Sequence, residues 1–270
     1  MSKSLLLKEE GNRYFQNHDY VSAEALYSKA LIADPKNPAL YTNRAMARLK
    51  MSLWDSVVSD CNDCLELSPD SMKAHYYLSQ AQLALHNPAD ALEHAKRAHE
   101  LCVVSGDKSL ASITAQVLKC KKEHWDDMER RRKREGAEVE SEVLALMQGE
   151  RDGMLRDAAG EADRREIGLE WEQKMAQLRN IFERARVSED RRRTVPDWAI
   201  DDISFGIMVD PVITKTGKSY ERASIMEHLR RHPTDPLTRE PLLASELRPN
   251  LGLKQACEEF LDENGWAVDW

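Results

Sequence analysis

Along the N-terminal part of the chain, small and apolar side chains recur at one fixed interval. Ala23, Val57 and Ala91 are each 34 apart, as are Tyr27, Cys61 and Ala95, and Ala30, Cys64 and Ala98. Pro35 and Pro69 close the first two units. A period of this length marks repeated supersecondary units, none of which can bury its apolar face alone, so stacking builds the core and leaves a concave groove. Beyond residue 109 the pattern changes to long charged helices. Val139, Val143 and Leu146 form one apolar stripe, and Trp171, Met175, Leu178, Phe182 and Ala185 form another. Gly149, Gly153 and Gly160 lie between the stripes and predict a turn, hence an antiparallel helical hairpin. Two helices share little core, so the leftover apolar surface predicts pairing with a second copy; the alternative is a monomeric spacer whose stripes pack on its neighbours. From residue 194 the texture changes again. Val195-Pro196-Asp197-Trp198 breaks the helical pattern. Val212-Ile213-Thr214 and Ser219-Tyr220-Glu221 flank Gly217 as a β-hairpin. Ile225 to Leu229 reads as a short helix, Pro233, Pro236 and Pro241 hold an irregular loop, and Leu253, Cys257, Phe260 and Leu261 mark a last amphipathic helix. The expected division is 1–108, 109–193 and 194–270.

Composition narrows the function classes. With a net charge of -8, the chain lacks the basic footprint that general nucleic-acid binding needs. No apolar run approaches a membrane span, and the apolar stretch after Met1 is far shorter than that of a secretory signal. Five cysteines do not make a disulfide framework in a chain of 270 residues, so a reducing compartment is expected, cytoplasmic or also nuclear. The runs Arg130 to Arg134 and Arg191 to Arg193 read either as nuclear import signals or as solvated helix faces diluted by Glu129 and Glu135.

Gly11 and Tyr14 complete the first unit, and the whole pattern resembles three tetratricopeptide (TPR) repeats, at about 4–37, 38–71 and 72–105. That resemblance implies two antiparallel helices per unit, with the first helix of each lining the groove. It also settles the Cys61-Asn62-Asp63-Cys64 sequence. Both cysteines occupy positions that hold alanine in the third unit, and no partner pair follows at metal-ligand spacing, so they read as small buried residues. Lys8 and Asn12 share one helix face, and Asn43 and Lys73 fall on the first helices of the next two units. Ammonium and amide donors drawn together in one groove suit the paired carboxylates of an acidic chain terminus. Leu7 to Asn12, Tyr41 to Ala45 and Lys73 to Tyr77 resemble the carboxylate-clamp TPR domains, which implies binding of the Glu-Glu-Val-Asp ends of heat-shock chaperones. Many such clamps place a basic residue four after the third-repeat lysine; here that residue is Tyr77. The departure removes one donor and points to a more apolar wall, with Phe15 and Tyr76 against an aliphatic ligand side chain. Asp107, just beyond the repeats, is a candidate to orient a clamp lysine or to contact the peptide backbone.

Ile203 to Val212, Gly217 to Arg222, Asp235 to Leu242 and Pro249 to Lys254 resemble a U-box, a zinc-free RING-like domain. After residue 190 the chain offers one cysteine and two histidines, too few for one four-ligand zinc site, so no metal and no cofactor is called for. Cys257 sits at helical spacing with Leu253 and Phe260, which points it inward and argues against a covalent ubiquitin intermediate. The resemblance implies that Ile203 and Phe205 from one loop and Pro236 from a second make an apolar docking patch for a ubiquitin-conjugating enzyme. It implies that Arg239 contacts both that enzyme and ubiquitin, and that His228 supports the fold or the surface. Ile203 and Phe205 as plain core residues are the alternative. The stretch from His228 to Pro236 is one residue shorter than in animal relatives, with Thr234 where an aromatic is expected.

The order of the parts resembles the CHIP family of chaperone-associated ubiquitin ligases. The expected fold class is mainly α, with TPR repeats, a helical hairpin and a small α+β U-box. The resemblance implies a homodimer that transfers ubiquitin to lysines of misfolded, chaperone-bound clients. An adaptor without ligase activity is the alternative.

Overall fold

A computed structural model describes residues 2–189 and 194–270, with the backbone alone over 185–189. The Arg191 to Arg193 run and the Ala185 side chain lie outside the described residues. The chain divides into two compact units, one of Met1–Asp126 with Pro196–Trp270 and one of Asp127–Val195.

The first unit begins with three helix pairs: α1 (Lys3–Gln16) and α2 (Tyr20–Ala33), α3 (Pro38–Lys50) and α4 (Trp54–Leu67), α5 (Met72–Ala84) and α6 (Pro88–Ser105). Their starts follow local chemistry. Ser2, Asp19, Asn37 and Ser71 each accept a backbone N–H of the first turn, and Pro38 and Pro88 open α3 and α6, where no N–H is needed. Within each pair the chain reverses through a left-handed residue, His18, Ser52 and His86, with φ of 62°, 59° and 61°. The 34-residue period therefore reaches the backbone, and none of the three is glycine. All nine side chains that define the period are fully buried. Cys61 and Cys64 lie in that core, and burial pushes both thiols above their usual range. At Gly11 the helices of the first pair approach closely, because a Cβ there would lie 2.7 Å from the Tyr27 ring.

A buried ion network ties three consecutive helices together. Asp60 of α4 accepts from Arg44 and Arg48 of α3 at 2.6 and 3.0 Å, while Arg48 also reaches Glu24 of α2 at 2.7 Å and Arg44 reaches Ser28 at 3.1 Å. Helix α7 (Leu110–Asp157) starts by packing on the third pair, burying Ile113, Val117 and Cys120.

The C-terminal part of this unit is a three-stranded sheet, β2 (Ser219–Glu221), β1 (Pro211–Ile213) and β3 (Arg248–Pro249) in that order, with Val212 opposite Tyr220. Helix α9 (Arg222–Arg231) covers it, and α10 (Leu251–Glu263) follows. Val212, Tyr220 and Ile225 form the core, with Ile203, Leu229 and Leu247 packed around them. This sheet meets the repeats along a seam. Val209 packs on Ala91, Ala95, Val117 and Cys120; Lys121 pairs with Asp262 at 2.6 Å; and Trp125 Nε1–H donates to the Glu263 carbonyl at 3.1 Å.

The second unit is a helical hairpin of the later part of α7 with α8 (Glu161–Glu189). Trp171 and Met175 are buried, and Trp171 Nε1–H points at the Met154 sulfur at 3.3 Å. The glycine reading needs correction: Gly149 and Gly153 lie inside α7, and only Gly160 stands at the turn. A glycine costs an exposed helix about 1 kcal/mol, which the strong helix formers around it outweigh.

Gly11→Ala should lower the melting temperature by the equivalent of about 1–3 kcal/mol, because the fully buried Tyr27 ring has no room to retreat. Gly136→Ala, which meets nothing within 4 Å on α7, should raise it slightly. Thermal denaturation of the two variants side by side checks both signs.

Candidate functional sites in the repeats and in the sheet domain

The polarity of the repeat groove is set from below. Tyr27 is fully buried, and burial pushes its hydroxyl up to about 12, so it stays a phenol and donates. Its O–H donates to Asn12 Oδ1 at 2.8 Å, and Asn43 Nδ2 donates to the same oxygen at 3.3 Å. With Oδ1 doubly occupied, the Asn12 amide has only N–H donors left to offer, and Asn43 keeps its second N–H. Lys8 lies one turn before Asn12 on α1, and among the described residues neither Lys8 nor Lys73 is held in an ion pair. The Ser109 backbone and hydroxyl, then the Lys73 and Lys108 charges, hold the Asp107 carboxyl below its usual range, which places Asp107 in the field of Lys73. The structure thus joins Asn12 to Asn43 by a bond and Lys73 to Asp107 by charge.

Aromatic side chains flank these donors. Phe15 packs on Ala23, Tyr27 and Ala47, with its ring 5.2 Å from that of Tyr20. Tyr76 packs on Ala98, Cys102 and Ile113, 5.9 Å from the Tyr77 ring. Tyr77 donates to the Met46 sulfur at 3.1 Å, and burial pushes its hydroxyl up to about 12. It packs on the core around Ala45, Val57 and Leu78 and supplies no cation. The sequence reading missed Tyr27 as a functional support. The signal was present, since Tyr27 holds the only aromatic among the nine residues of the repeat period.

In the sheet domain, Phe205 and Leu237 are 74% and 68% exposed, large apolar side chains left in solvent at the tips of two loops. Leu237 was not singled out from the sequence. Pro236 is half-buried and Arg239 is exposed. Ile203 serves both readings of the sequence in part: it is half-buried and packs against the Val212, Tyr220 and Ile225 core. Phe205 and Arg239 have left-handed backbones, with φ of 57° and 62°, a conformation unfavourable for bulky residues. His228 sits on α9 and its Nε2–H donates to the Thr234 carbonyl at 2.9 Å, bracing the second loop from behind. Burial alone would raise the Asp235 carboxyl, but the Leu237 and Thr238 N–H groups and the Thr216 hydroxyl outweigh it and hold it below the ordinary carboxylate value. Cys257 is buried, and burial pushes its thiol up to about 11.

Known proteins resemble both parts of the chain. The U-box domain family matches residues 195–266. An E3 ubiquitin-protein ligase CHIP of Arabidopsis thaliana is 31% identical over 264 residues, covering 97% of this chain and 94% of that protein. RNA polymerase II-associated protein 3 of Homo sapiens is 40% identical over 98 residues, 36% of this chain and 14% of that protein. Among solved structures, the first TPR of Spaghetti (RPAP3) bound to HSP90 peptide SRMEEVD is 34% identical with a TM-score of 0.38, covering 42% of this chain and 90% of that one.

Tyr27→Phe removes the O–H that orients Asn12 and should weaken binding of a peptide with a free acidic terminus about five- to tenfold, for about 1 kcal/mol of stability. Calorimetry against the same peptide with an amidated end checks that the loss belongs to the carboxylate. The depressed Asp235 carboxyl contributes stability above the unfolded value of about 3.9, and that contribution disappears as pH falls through the lower folded value. Between about pH 5 and 3, the melting temperature of Asp235→Asn should fall less steeply than that of the wild type.

Proposed function

Since the chain belongs to the CHIP family of E3 ubiquitin-protein ligases, we propose that its repeat groove holds the acidic C-terminus of a heat-shock chaperone while its two exposed loops dock a ubiquitin-conjugating enzyme. The protein is a U-box ubiquitin ligase. The observation that carries the reading of the groove is the doubly occupied Asn12 Oδ1, which leaves donors facing a ligand rich in acceptors. Lys8, Asn12, Asn43 and Lys73 take the terminal and side-chain carboxylates, Asp107 steadies Lys73, and Phe15 and Tyr76 receive an aliphatic side chain of the tail.

At the other site, Phe205, Pro236 and the outer edge of Ile203 supply the apolar patch, Arg239 supplies the cation toward enzyme and ubiquitin, and His228 supports the second loop. Transfer proceeds without ubiquitin on this chain. All five cysteines are free and buried, which keeps them from serving as the accessible thiolate that a covalent carrier needs. Catalysis comes from restricting the thioester-loaded enzyme to geometries in which a client lysine attacks the carbonyl. Holding chaperone and enzyme on one scaffold raises the local concentration of one near the other. Leu146, Leu169 and Ile181, exposed on the helical hairpin, support its assembly as a homodimer. Free, buried cysteines also support work in the reducing cytoplasm or nucleus, on misfolded clients.

Reconstitution with activating enzyme, conjugating enzymes, ubiquitin, chaperone and client tests both sites at once. Lys8→Ala should abolish chaperone-dependent client modification and preserve self-modification. Pro236→Ala should do the converse to its partner, leaving tail binding intact while ubiquitin chains fail to form. Client modification at the wild-type rate in Lys8→Ala would remove the clamp from the account.

A further inference from the structure

The two docking loops are one design built twice. The first runs from Ile200 to Ile207 and the second from Thr234 to Pro241, and each is closed by an isolated antiparallel bridge between those end residues. Each begins with a fully buried aspartate, Asp201 or Asp235. In each, the aspartate N–H donates to the carbonyl five residues on, Gly206 at 2.9 Å and Glu240 at 2.8 Å. Its carbonyl accepts the N–H four residues on, Phe205 at 2.8 Å and Arg239 at 2.9 Å. Its carboxylate accepts the N–H three residues on, Ser204 at 2.8 Å and Thr238 at 3.2 Å, and the hydroxyl of that same residue accepts the next N–H but one, at 3.4 Å in both loops. The residue at the fifth position is left-handed in both.

In the first loop the carboxylate does more. Asp201 Oδ2 also accepts the Ser204 hydroxyl at 2.7 Å and the Ser224 hydroxyl from α9 at 2.6 Å, and Oδ1 accepts the Glu221 N–H at 3.0 Å. Two of these partners are backbone N–H groups that can only donate, Ser204 to Oδ2 and Glu221 to Oδ1, so both carboxyl oxygens are held as acceptors, while the Ser224 hydroxyl also lies 2.9 Å from the Glu221 carbonyl. An amide in its place would set its NH₂ against a donor in either orientation. Phe205 is a bulky residue with no intrinsic reason to adopt φ 57°, and what holds it there is the turn organised by Asp201.

We propose that Asp201 is a positioning residue for ubiquitin transfer: it fixes the left-handed turn that projects Phe205, as Asp235 fixes the one that projects Leu237 and Arg239. The inference rests on the docking reading above.

The test is steady-state transfer by the full chain with the ubiquitin-loaded conjugating enzyme as the varied substrate. Asp201→Asn should raise KM about tenfold with kcat changed by less than about twofold, and leave chaperone-tail affinity as in the wild type. In a Phe205→Ala background the same substitution should add nothing, since the side chain it positions is gone. Ser224→Ala, which removes one strut and leaves the carboxylate, should raise KM about threefold, and serves if Asp201→Asn melts below the assay temperature. A wild-type KM in both Asp201→Asn and Ser224→Ala, or a full additional loss in the Phe205→Ala background, overturns the inference. If Phe205→Ala itself leaves KM unchanged, the docking assignment of the first loop fails, and the positioning role fails with it.

Discussion

The architecture rests on how closely helices can approach. Nine side chains spaced by 34 residues, mostly alanine and cysteine, are wholly buried, and close approach at the first pair goes as far as a glycine against a tyrosine ring. Small side chains at these points let the second helix of each pair nest into the first, and the pairs then stack with a constant offset. That offset puts Asn12 and Asn43, 31 residues apart, within one hydrogen bond of each other. The groove's chemistry is therefore a by-product of its packing: Tyr27 fills the core and, with its one polar atom, dictates which way Asn12 faces.

A second constraint governs the sheet domain, which is too small to rigidify two long loops by apolar burial alone. It uses buried carboxylates as anchors, each accepting several hydrogen bonds. A buried carboxylate with several donors on it costs less than one left unpaired, and loosening the loop gives up those bonds. The loops can thus carry large apolar side chains in solvent and left-handed non-glycine residues, both of which would relax in a loop without such an anchor. Strain of this kind at a recognition surface is sustained by the surroundings, here by Ser224, Glu221 and Thr216 reaching in from neighbouring elements.

Much of this was legible in the residues. The period predicted the helical repeats, and the hairpin around Gly217 appears with Val212 opposite Tyr220. What the sequence hid has physical reasons. Glycines inside α7 look like punctuation, yet a long helix absorbs them at small cost. The strand Arg248–Pro249 is two exposed residues long and carries no alternation to detect. The Glu24, Arg44, Arg48 and Asp60 network joins three helices, and charge spacing within one helix cannot reveal it. Leu237 carries no sign of exposure in the sequence, because its exposure depends on a turn made by Asp235. The left-handed residues His18, Ser52 and His86 kept the 34-residue spacing in plain view, but their side chains share no chemistry that would draw attention to it.

The seam between repeats and sheet domain follows a different logic from either site. Lys96 with Glu258 and Lys122 with Asp269 are partly exposed pairs, worth at most about 1 kcal/mol each in water and less with salt. Lys121 is buried while its partner Asp262 is open to solvent, so that pair mainly spares the lysine an unpaired burial. The specific part of the seam is steric. Gly265 lies so close to Trp125 that a Cβ would collide with its side chain, and the indole N–H closes on the carbonyl of Glu263. Val209 completes it by entering the apolar cluster between α6 and α7. Contact of that kind admits few alternative placements, whereas ion pairs between long side chains admit many. The placement of the sheet domain on the repeats thus rests mainly on an aromatic side chain against a bare backbone and on Val209, and the surrounding charges tune how firmly it is kept.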